Sequence, residues 1–166
     1  MYSLWATPTD KDRQYLSQII HELSNIFNTL AFQPHCTLWS RVDLPLKNLI
    51  QVVKSSSQGI APFTVKVKGL DYSQSYDKTL FIQILANESL TILNRRIQNG
   101  LGENYHYQFD PHISLIYKNN MNKNTKRNII STLSIKQSLK MENIVINKTG
   151  DPIEKWEMVY KQRLKH

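Results

Sequence analysis

Two short segments of this chain repeat one another and carry the residues best suited to chemistry. The first is Phe-Gln-Pro-His-Cys-Thr-Leu at residues 32–38, and the second is Phe-Asp-Pro-His-Ile-Ser-Leu at residues 109–115. In both, a small hydroxyl residue follows the histidine by two positions. His35 and His112 are 112 − 35 = 77 residues apart, close to half of the 166-residue chain. This spacing indicates a diverged duplication.

Strand geometry predicts that each histidine works together with the hydroxyl residue that follows it. Residues i and i+2 of a β-strand lie on the same face. His35 is therefore expected beside Thr37. His112 is expected beside Ser114 in the same way. If the two strands meet about a pseudo-twofold axis, both pairs line one pocket.

A pocket with two imidazoles and two hydroxyls suits the cleavage of a phosphodiester. One neutral histidine can take a proton from water, and a second, protonated histidine can give one to the leaving oxygen. The ordinary histidine pKa of about 6.5 lets both forms coexist near neutral pH. The hydroxyls can donate hydrogen bonds to the phosphate oxygens as charge builds in the transition state. This division of roles needs no metal ion and no cofactor.

Flanking patterns extend the resemblance to a known family. The chain opens with Tyr-Ser-Leu-Trp-Ala at residues 2–6, and its second motif continues as Pro-His-Ile-Ser-Leu-Ile-Tyr at residues 111–117. Lys-Thr at residues 148–149 and Trp-Glu at residues 156–157 follow near the end. With these motifs the sequence resembles the two-histidine (2H) phosphoesterase superfamily, and more narrowly its cyclic phosphodiesterase branch. Either motif alone is commonly just a packed histidine, but the duplicated context favours catalysis.

The resemblance implies roles for particular side chains. It makes the two histidines acid and base, and it makes Thr37 and Ser114 the phosphate-holding groups. It also assigns Tyr117 and Trp5 to substrate contacts, although core packing is an alternative for both. Strand alternation would turn Tyr117 away from the site, unless the strand ends or bulges before it.

The same resemblance implies small substrates. These are ADP-ribose 1″,2″-cyclic phosphate, which is opened to ADP-ribose 1″-phosphate, and nucleoside 2′,3′-cyclic phosphates, which are opened to the 2′-phosphates. A related branch acts on RNA ends, as an RNA 2′,3′-cyclic phosphodiesterase or a 2′,5′-RNA ligase-like enzyme. That branch typically continues the second motif with an arginine. This chain has Leu-Ile-Tyr there, at residues 115–117. Two more functions stay open, a cyclic-oligonucleotide phosphodiesterase and a nucleotide- or RNA-binding module without turnover.

Composition limits the class of protein. The chain is 40% hydrophobic and 20% charged, has a formal net charge of +8, and contains a single cysteine. The positive charge favours anionic ligands by steering, without choosing between a nucleotide and RNA. Cys36 cannot form an intrachain disulfide, and strand alternation turns it away from His35. No stretch predicts a signal peptide or a membrane span, so we expect a cytoplasmic monomer.

The order of predicted elements completes the expectation. Apolar residues at helical spacing predict a helix over residues 10–30, with Thr9 and Asp12 as a capping box. Residues 118–126 read as a basic loop, either at the mouth of the site or leading into a helix. Alternating strands and helices predict an α+β fold over residues 1–166 as one domain. Two pseudo-twofold lobes are expected, each a mostly antiparallel sheet with outer helices and with the active-site cleft between them.

Overall fold

The computed structural model describes residues 1–150 and 152–165, in which helices and strands alternate as an α+β fold. The four helices are α1 (Asp10–Phe27), α2 (Leu46–Ser57), α3 (Glu88–Leu101) and α4 (Lys123–Thr132). The seven strands are β1 (Tyr2–Pro8), β2 (Cys36–Val42), β3 (Phe63–Tyr72), β4 (Leu80–Leu85), β5 (His112–Ile116), β6 (Ser138–Lys148) and β7 (Glu157–Arg163). The predicted fold class is therefore confirmed. No helix within the described residues is both long and apolar enough to span a membrane.

In the described part of the chain the strands pair in antiparallel fashion, in the order β1-β2-β5-β4-β3-β6-β7, and β1 also pairs with β6. Strand β6 is long enough to belong to both halves. Its start, residues 138–141, pairs with β3, and residues 141–148 pair with β1. The two halves thus share a strand rather than each forming a separate sheet. One half is β2-β1-β6-β7, and the other is β5-β4-β3 with the start of β6.

The two strands that carry the repeated motifs touch at one place. Cys36 of β2 pairs with Ile113 of β5, and this is the only residue pair that joins the two strands in the described part of the chain. Each of these residues is the middle one of its His-x-Thr or His-x-Ser motif. The antiparallel crossing at the motif centres places the two motifs about a local twofold axis.

Both motif strands contain a β-bulge at equivalent positions. In β2 the register with β1 shifts between Thr37 and Trp39, so that Leu38 is the extra residue. In β5 the register with β4 shifts in the same way and makes Leu115 the extra residue. These leucines end the two repeats. Beyond each bulge, the alternation of side chains between the two faces is reversed.

The helices cover the sheet with the apolar faces that their periodicity predicts. Helix α1 packs against β1 and β5, α3 packs against β2, and α2 lies against α3 and β6. The buried side chains of α1 are spaced one helical turn apart and include Leu16, Ile20 and Leu23. Each such buried aliphatic side chain contributes roughly 1.5–3 kcal/mol through removal of apolar surface from water.

The predicted capping box at the start of α1 is wrong. The side chain of Thr9 makes no capping hydrogen bond. The Asp12 carboxylate instead accepts hydrogen bonds from Lys136 Nζ and from the backbone N–H of Lys140, each at 2.8 Å. These distant partners hold the helix to the start of β6, and they outcompete the local cap. The helix also ends at Phe27, earlier than the predicted residue 30.

Residues 118–126 lead into a helix, which was one of the two alternatives for this segment, and two of their lysines donate hydrogen bonds to neighbouring elements. Helix α4 already begins at Lys123. Lys126 is buried and donates to the backbone oxygen of Ser73 at 2.6 Å. Lys118 Nζ donates to the backbone oxygen of Phe27 at 3.0 Å. These side chains hold neighbouring elements together, so the segment is not an open basic loop.

Candidate active site

The crossing of the motif strands brings both histidines to one small cavity. The cavity has a volume of about 130 Å³. Its lining consists of two histidines, three hydroxyl-bearing residues from the motif strands, two tyrosines including Tyr117 from just beyond β5, and one carboxylate: His35, Thr37, Ser40, Asp77, Tyr107, His112, Ser114 and Tyr117. The four motif residues predicted from the sequence therefore lie together, although they belong to opposite halves of the chain.

Both histidine rings are oriented by a hydrogen bond between Nδ1 and the backbone oxygen of the residue two positions earlier. His35 Nδ1 lies 2.6 Å from the backbone oxygen of Gln33, and His112 Nδ1 lies 2.7 Å from that of Asp110. A carbonyl oxygen can only accept, so each Nδ1 carries a proton and donates it. Each Nε2 is then left to accept or donate a proton in the cavity.

His35 is the more deeply buried histidine. The residue is 6% exposed, and its ring stacks on Trp5 with ring centroids 3.6 Å apart and an interplanar angle of 12°. Burial lowers the pKa of His35 to about 4, assisted by the nearby charge of His112, while the hydrogen bond to Gln33 acts in the opposite direction. His35 is therefore neutral at pH 7, with Nε2 ready to accept a proton.

His112 lies in a more charged environment. Burial lowers its pKa, as for His35, and the Lys78 ammonium acts in the same direction. The Asp110 carbonyl and the carboxylates of Asp110 and Asp77 raise it. Because His112 is only partly buried and has carboxylates nearby, it is the more readily protonated of the two histidines.

A polar network holds the segment that orients His112. The Asp110 carboxylate accepts an ion-paired hydrogen bond from Lys78 Nζ and a hydrogen bond of 3.0 Å from Gln83 Nε2. Gln83 Nε2 also donates to the Pro111 backbone oxygen at 2.9 Å. Burial raises the pKa of Asp110, but these hydrogen bonds outweigh it and hold the pKa below its usual value. The network thus fixes Asp110, whose backbone oxygen accepts the hydrogen bond from His112 Nδ1.

The hydroxyl groups are placed to meet a phosphate. Thr37 and Ser114 both line the cavity. In the free protein, Ser114 Oγ donates to the backbone oxygen of Asp77 at 2.6 Å. That bond positions the oxygen, and a rotation about the C–O bond would turn the proton toward an arriving anion.

The structure places Tyr117 on the cavity wall, because of the bulge in β5. Simple alternation would have turned it away from His112, but the extra residue Leu115 restores it to the histidine's face. Its ring stacks on Phe32, with centroids 3.9 Å apart. Burial raises the pKa of Tyr117, so its hydroxyl stays protonated. Ser40 lies at the same position in the first repeat and reaches the cavity in the same way.

Trp5 does not line this cavity. It lies behind His35 as its stacking partner and contacts Trp156, with ring centroids 5.5 Å apart. In the other half, Phe81 occupies the equivalent position, since it pairs with Ser114 as Trp5 pairs with Thr37. Trp5 supports the ring of His35 and forms part of a neighbouring cavity.

Three lining residues were not predicted from the sequence. Ser40 could have been found by extending the alignment of the two repeats past their final leucines, which matches it with Tyr117. Tyr107 and Asp77 have no comparable signal, because they arrive through segments between strands. Burial raises the pKa of Tyr107, which also contacts Trp39 with ring centroids 5.4 Å apart.

Cys36 stays outside the chemistry. It is fully buried in the pairing of β2 with β5. Burial raises the pKa of its thiol to about 12, so almost no thiolate forms at neutral pH. Among residues 1–150 and 152–165, no three His, Cys, Asp or Glu side chains come together as ligands for a metal ion.

Solved structures share this fold along the entire chain. TT0787 of Thermus thermophilus is 16% identical, with a TM-score of 0.68 over 98% of this chain and 97% of the other. A protein described as a phosphoesterase is 12% identical, with a TM-score of 0.69 over 99% and 98%. E. coli LigT complexed with 3′-AMP is 13% identical, with a TM-score of 0.62 over 99% and 98%. At these identities the likeness establishes the fold alone.

Sequence comparison establishes the family. Curated proteins include no match to this sequence. The family model described as cyclic phosphodiesterase-like protein, however, matches residues 1–164, nearly the whole chain. The protein therefore belongs to the cyclic phosphodiesterase-like family.

Proposed function

We propose that this protein hydrolyses small cyclic phosphodiesters by paired-histidine acid–base catalysis. The observation that carries the proposal is the convergence of both His-x-Thr/Ser motifs on one cavity of about 130 Å³. Both rings direct Nδ1 to a backbone carbonyl, which leaves two Nε2 atoms for proton transfer. The candidate substrates are ADP-ribose 1″,2″-cyclic phosphate and nucleoside 2′,3′-cyclic phosphates.

The proposed reaction on a nucleoside 2′,3′-cyclic phosphate consists of one displacement at phosphorus. One histidine takes a proton from water as the water oxygen forms a bond to phosphorus. The P–O3′ bond breaks, and the other histidine gives its proton to O3′, so that a nucleoside 2′-phosphate leaves. Thr37 and Ser114 donate hydrogen bonds to the nonbridging oxygens as their charge increases.

The electrostatics of the site favour His35 as the base and His112 as the acid. His35 is neutral at pH 7 because its pKa lies at about 4. An acid must carry a proton, and His112 gains one more easily than His35 because the carboxylates of Asp110 and Asp77 offset part of the lowering of its pKa by burial. A bound phosphodiester adds a negative charge beside both rings and favours the protonated form further.

The volume of the cavity limits which part of the substrate it can hold. A volume of about 130 Å³ accommodates a phosphate and a water molecule, so the sugar and base must lie beyond it. The same cavity could therefore take the cyclic phosphate at an RNA end. The net charge of +8 suits either anionic ligand. We propose the small substrates first, since the second motif continues with Leu-Ile-Tyr rather than with arginine.

An assay in the presence of EDTA tests the proposal. It compares ADP-ribose 1″,2″-cyclic phosphate, nucleoside 2′,3′-cyclic phosphates and an RNA oligonucleotide ending in a cyclic phosphate. We expect His112→Ala to lower kcat by at least ~10²-fold, the usual contribution of a general acid. His21→Ala is the matched control, because His21 is exposed on α1 and bonds only to the backbone oxygen of Ser17. Full activity in His112→Ala would overturn the proposal, and turnover of the oligonucleotide alone would replace the substrate class.

A sulfur-substituted substrate distinguishes the acid from the base. In a cyclic phosphate with sulfur in place of the leaving O3′, the leaving group is a stable thiolate that needs no proton. We expect this substrate to restore activity to His112→Ala and not to His35→Ala. Restoration in His35→Ala alone would reverse the two roles while leaving the paired mechanism in place.

A further inference from the structure

One charged group of the cavity between the two histidines has no role in the reaction described so far. Among the described residues that line this cavity, Asp77 is the one carboxylate, and none is a lysine or an arginine. Asp77 forms none of the salt bridges within the described part of the chain. Lys78, the next residue, is ion-paired with Asp110 instead. The cavity thus has a negative side chain where a phosphate is expected to bind, and like charges repel.

Asp77 reaches the cavity on one short 3-10 helix, Tyr76–Lys78, between β3 and β4. Its backbone oxygen accepts a hydrogen bond of 2.6 Å from Ser114 Oγ, so the residue adjoins a hydroxyl that is proposed to hold the phosphate. The short helix is tied to the segment after β5, because the backbone N–H of Lys118 donates to the backbone oxygen of Tyr76 at 3.2 Å. These bonds hold the backbone of Asp77 at the rim of the cavity.

The charge of Asp77 acts on groups around the cavity. Burial raises the pKa of Tyr117, and the Asp77 carboxylate adds to the rise. Burial also raises the pKa of Tyr107, with Asp77 among the charges that act in the same direction. Burial lowers the pKa of His112, and Asp77 is one of the two carboxylates that oppose this. A charge that acts on these three side chains also acts on a phosphate bound among them.

The proposed reaction increases the negative charge of the phosphate. A cyclic phosphodiester carries one negative charge. Hydrolysis adds water across the P–O3′ bond, and the resulting phosphomonoester has a second acidic proton with a pKa of about 6. Above that pH the product releases this proton to the solvent and carries two negative charges. A fixed carboxylate therefore repels the product about twice as strongly as it repels the substrate.

We propose that Asp77 determines the charge selectivity of the cavity, in that it disfavours a dianionic phosphomonoester relative to a monoanionic phosphodiester and so promotes release of the product. This inference rests on the proposed function, which places the phosphate between the histidines. The hydroxyls and one imidazolium, on His112, balance a single negative charge. The described lining residues include no lysine or arginine to balance a second one, so the absence of cations and the presence of Asp77 act in the same direction.

Two inhibitors of the same shape and different charge test this inference. At pH 8, adenosine 2′-phosphate carries two negative charges and adenosine 2′-sulfate carries one. The assay measures Ki of each inhibitor against adenosine 2′,3′-cyclic phosphate, for wild type and for Asp77→Asn. We expect the ratio of Ki for the phosphate to Ki for the sulfate to fall at least about threefold in Asp77→Asn, since water and salt partly screen an exposed carboxylate.

Two further variants serve as controls. Asp77→Glu keeps the charge, and we expect its ratio to stay close to that of wild type. Glu22→Gln removes a negative charge elsewhere, because Glu22 is exposed on α1 and lies outside the cavity, and it should leave the ratio unchanged. Asp77→Asn should fold like wild type, since Asp77 is exposed and accepts the hydrogen bond from Ser114 through its backbone oxygen.

The outcomes separate this inference from the proposed function. If wild type opens the cyclic phosphate and the ratio is the same in wild type and Asp77→Asn, charge selectivity by Asp77 is refuted and the phosphodiesterase stands. A lower kcat in Asp77→Asn with an unchanged ratio also refutes it, and assigns Asp77 to the support of His112. If wild type opens no cyclic phosphate, the proposed function fails. Calorimetric dissociation constants of the same two ligands then decide the charge selectivity, which equal ratios in wild type and Asp77→Asn refute.

Discussion

The burial of His35 predicts a loss of stability in mild acid. The folded protein holds this ring with a pKa of about 4, compared with an ordinary value of 6.5. A folded pKa below the unfolded one means that the unfolded chain binds the proton more tightly. The folded state is therefore destabilised as the pH falls from about 6.5 to about 4, and the effect is complete below that range.

The size of the effect follows from the difference between the two pKa values. At about 1.4 kcal/mol for each unit of pKa, the difference corresponds to about 3 kcal/mol at full protonation. Between pH 7 and pH 4.5, about 2 kcal/mol of this is lost from the free energy of unfolding. A typical domain has only ~5–15 kcal/mol in total, so this loss is readily measured.

Urea unfolding of wild type and His35→Gln at the two pH values measures the part of the loss in unfolding free energy that His35 causes. Glutamine does not titrate, so the variant lacks the contribution, whereas all other titrating groups act in both proteins and cancel in the comparison. We expect wild type to lose about 2 kcal/mol more than the variant between pH 7 and pH 4.5. Equal losses would show that the ring keeps its ordinary pKa, and the argument for a neutral His35 in the free protein would fail.

Three further predictions address the neighbouring groups. Lys78→Met should raise the pKa of His112, because the Lys78 ammonium lowers it, and NMR titration of the imidazole would detect the change; an unchanged or lower midpoint would contradict this. Thr37→Val should lower kcat for a cyclic phosphate by about 10²-fold if its hydroxyl stabilises the transition state, whereas a change in KM alone would limit it to ground-state binding. Asp12→Ala should cost about 1–3 kcal/mol in urea unfolding, since it removes the carboxylate that accepts hydrogen bonds from Lys136 Nζ and from the Lys140 backbone N–H. Thr9→Ala should lower the free energy of unfolding far less, because the Thr9 side chain makes no capping hydrogen bond. Equal losses in the two variants would support the predicted capping box.

Local regularities in the sequence were enough for the motifs and the fold class. The pairing of His35 with Thr37, and of His112 with Ser114, depends only on alternation over three residues. No insertion interrupts those short stretches, so the structure places all four side chains on one cavity. Apolar periodicity likewise predicted the helices and strands of an α+β fold, and the whole-chain family match agrees with the resemblance.

Contacts between distant segments decided the rest. The bulges at Leu38 and Leu115 arise from pairing with neighbouring strands, and they alone return Ser40 and Tyr117 to the cavity. The sequence suggested Thr9, at the start of the helix, as the partner of Asp12. In the folded chain Asp12 instead accepts hydrogen bonds from two lysines more than 120 positions away.

The neighbouring cavity lined by Trp5, Phe32 and Trp156 likewise exists only after folding, because its walls come from the first strand, the segment before β2 and the segment before β7. The sequence by itself therefore determined which groups form the candidate site and how each histidine ring is oriented, since local strand geometry and hydrogen bonds to the second residue before each histidine arrange them. The tertiary structure decided their protonation and brought the two motifs together, since burial and the pairing of β2 with β5 depend on distant segments.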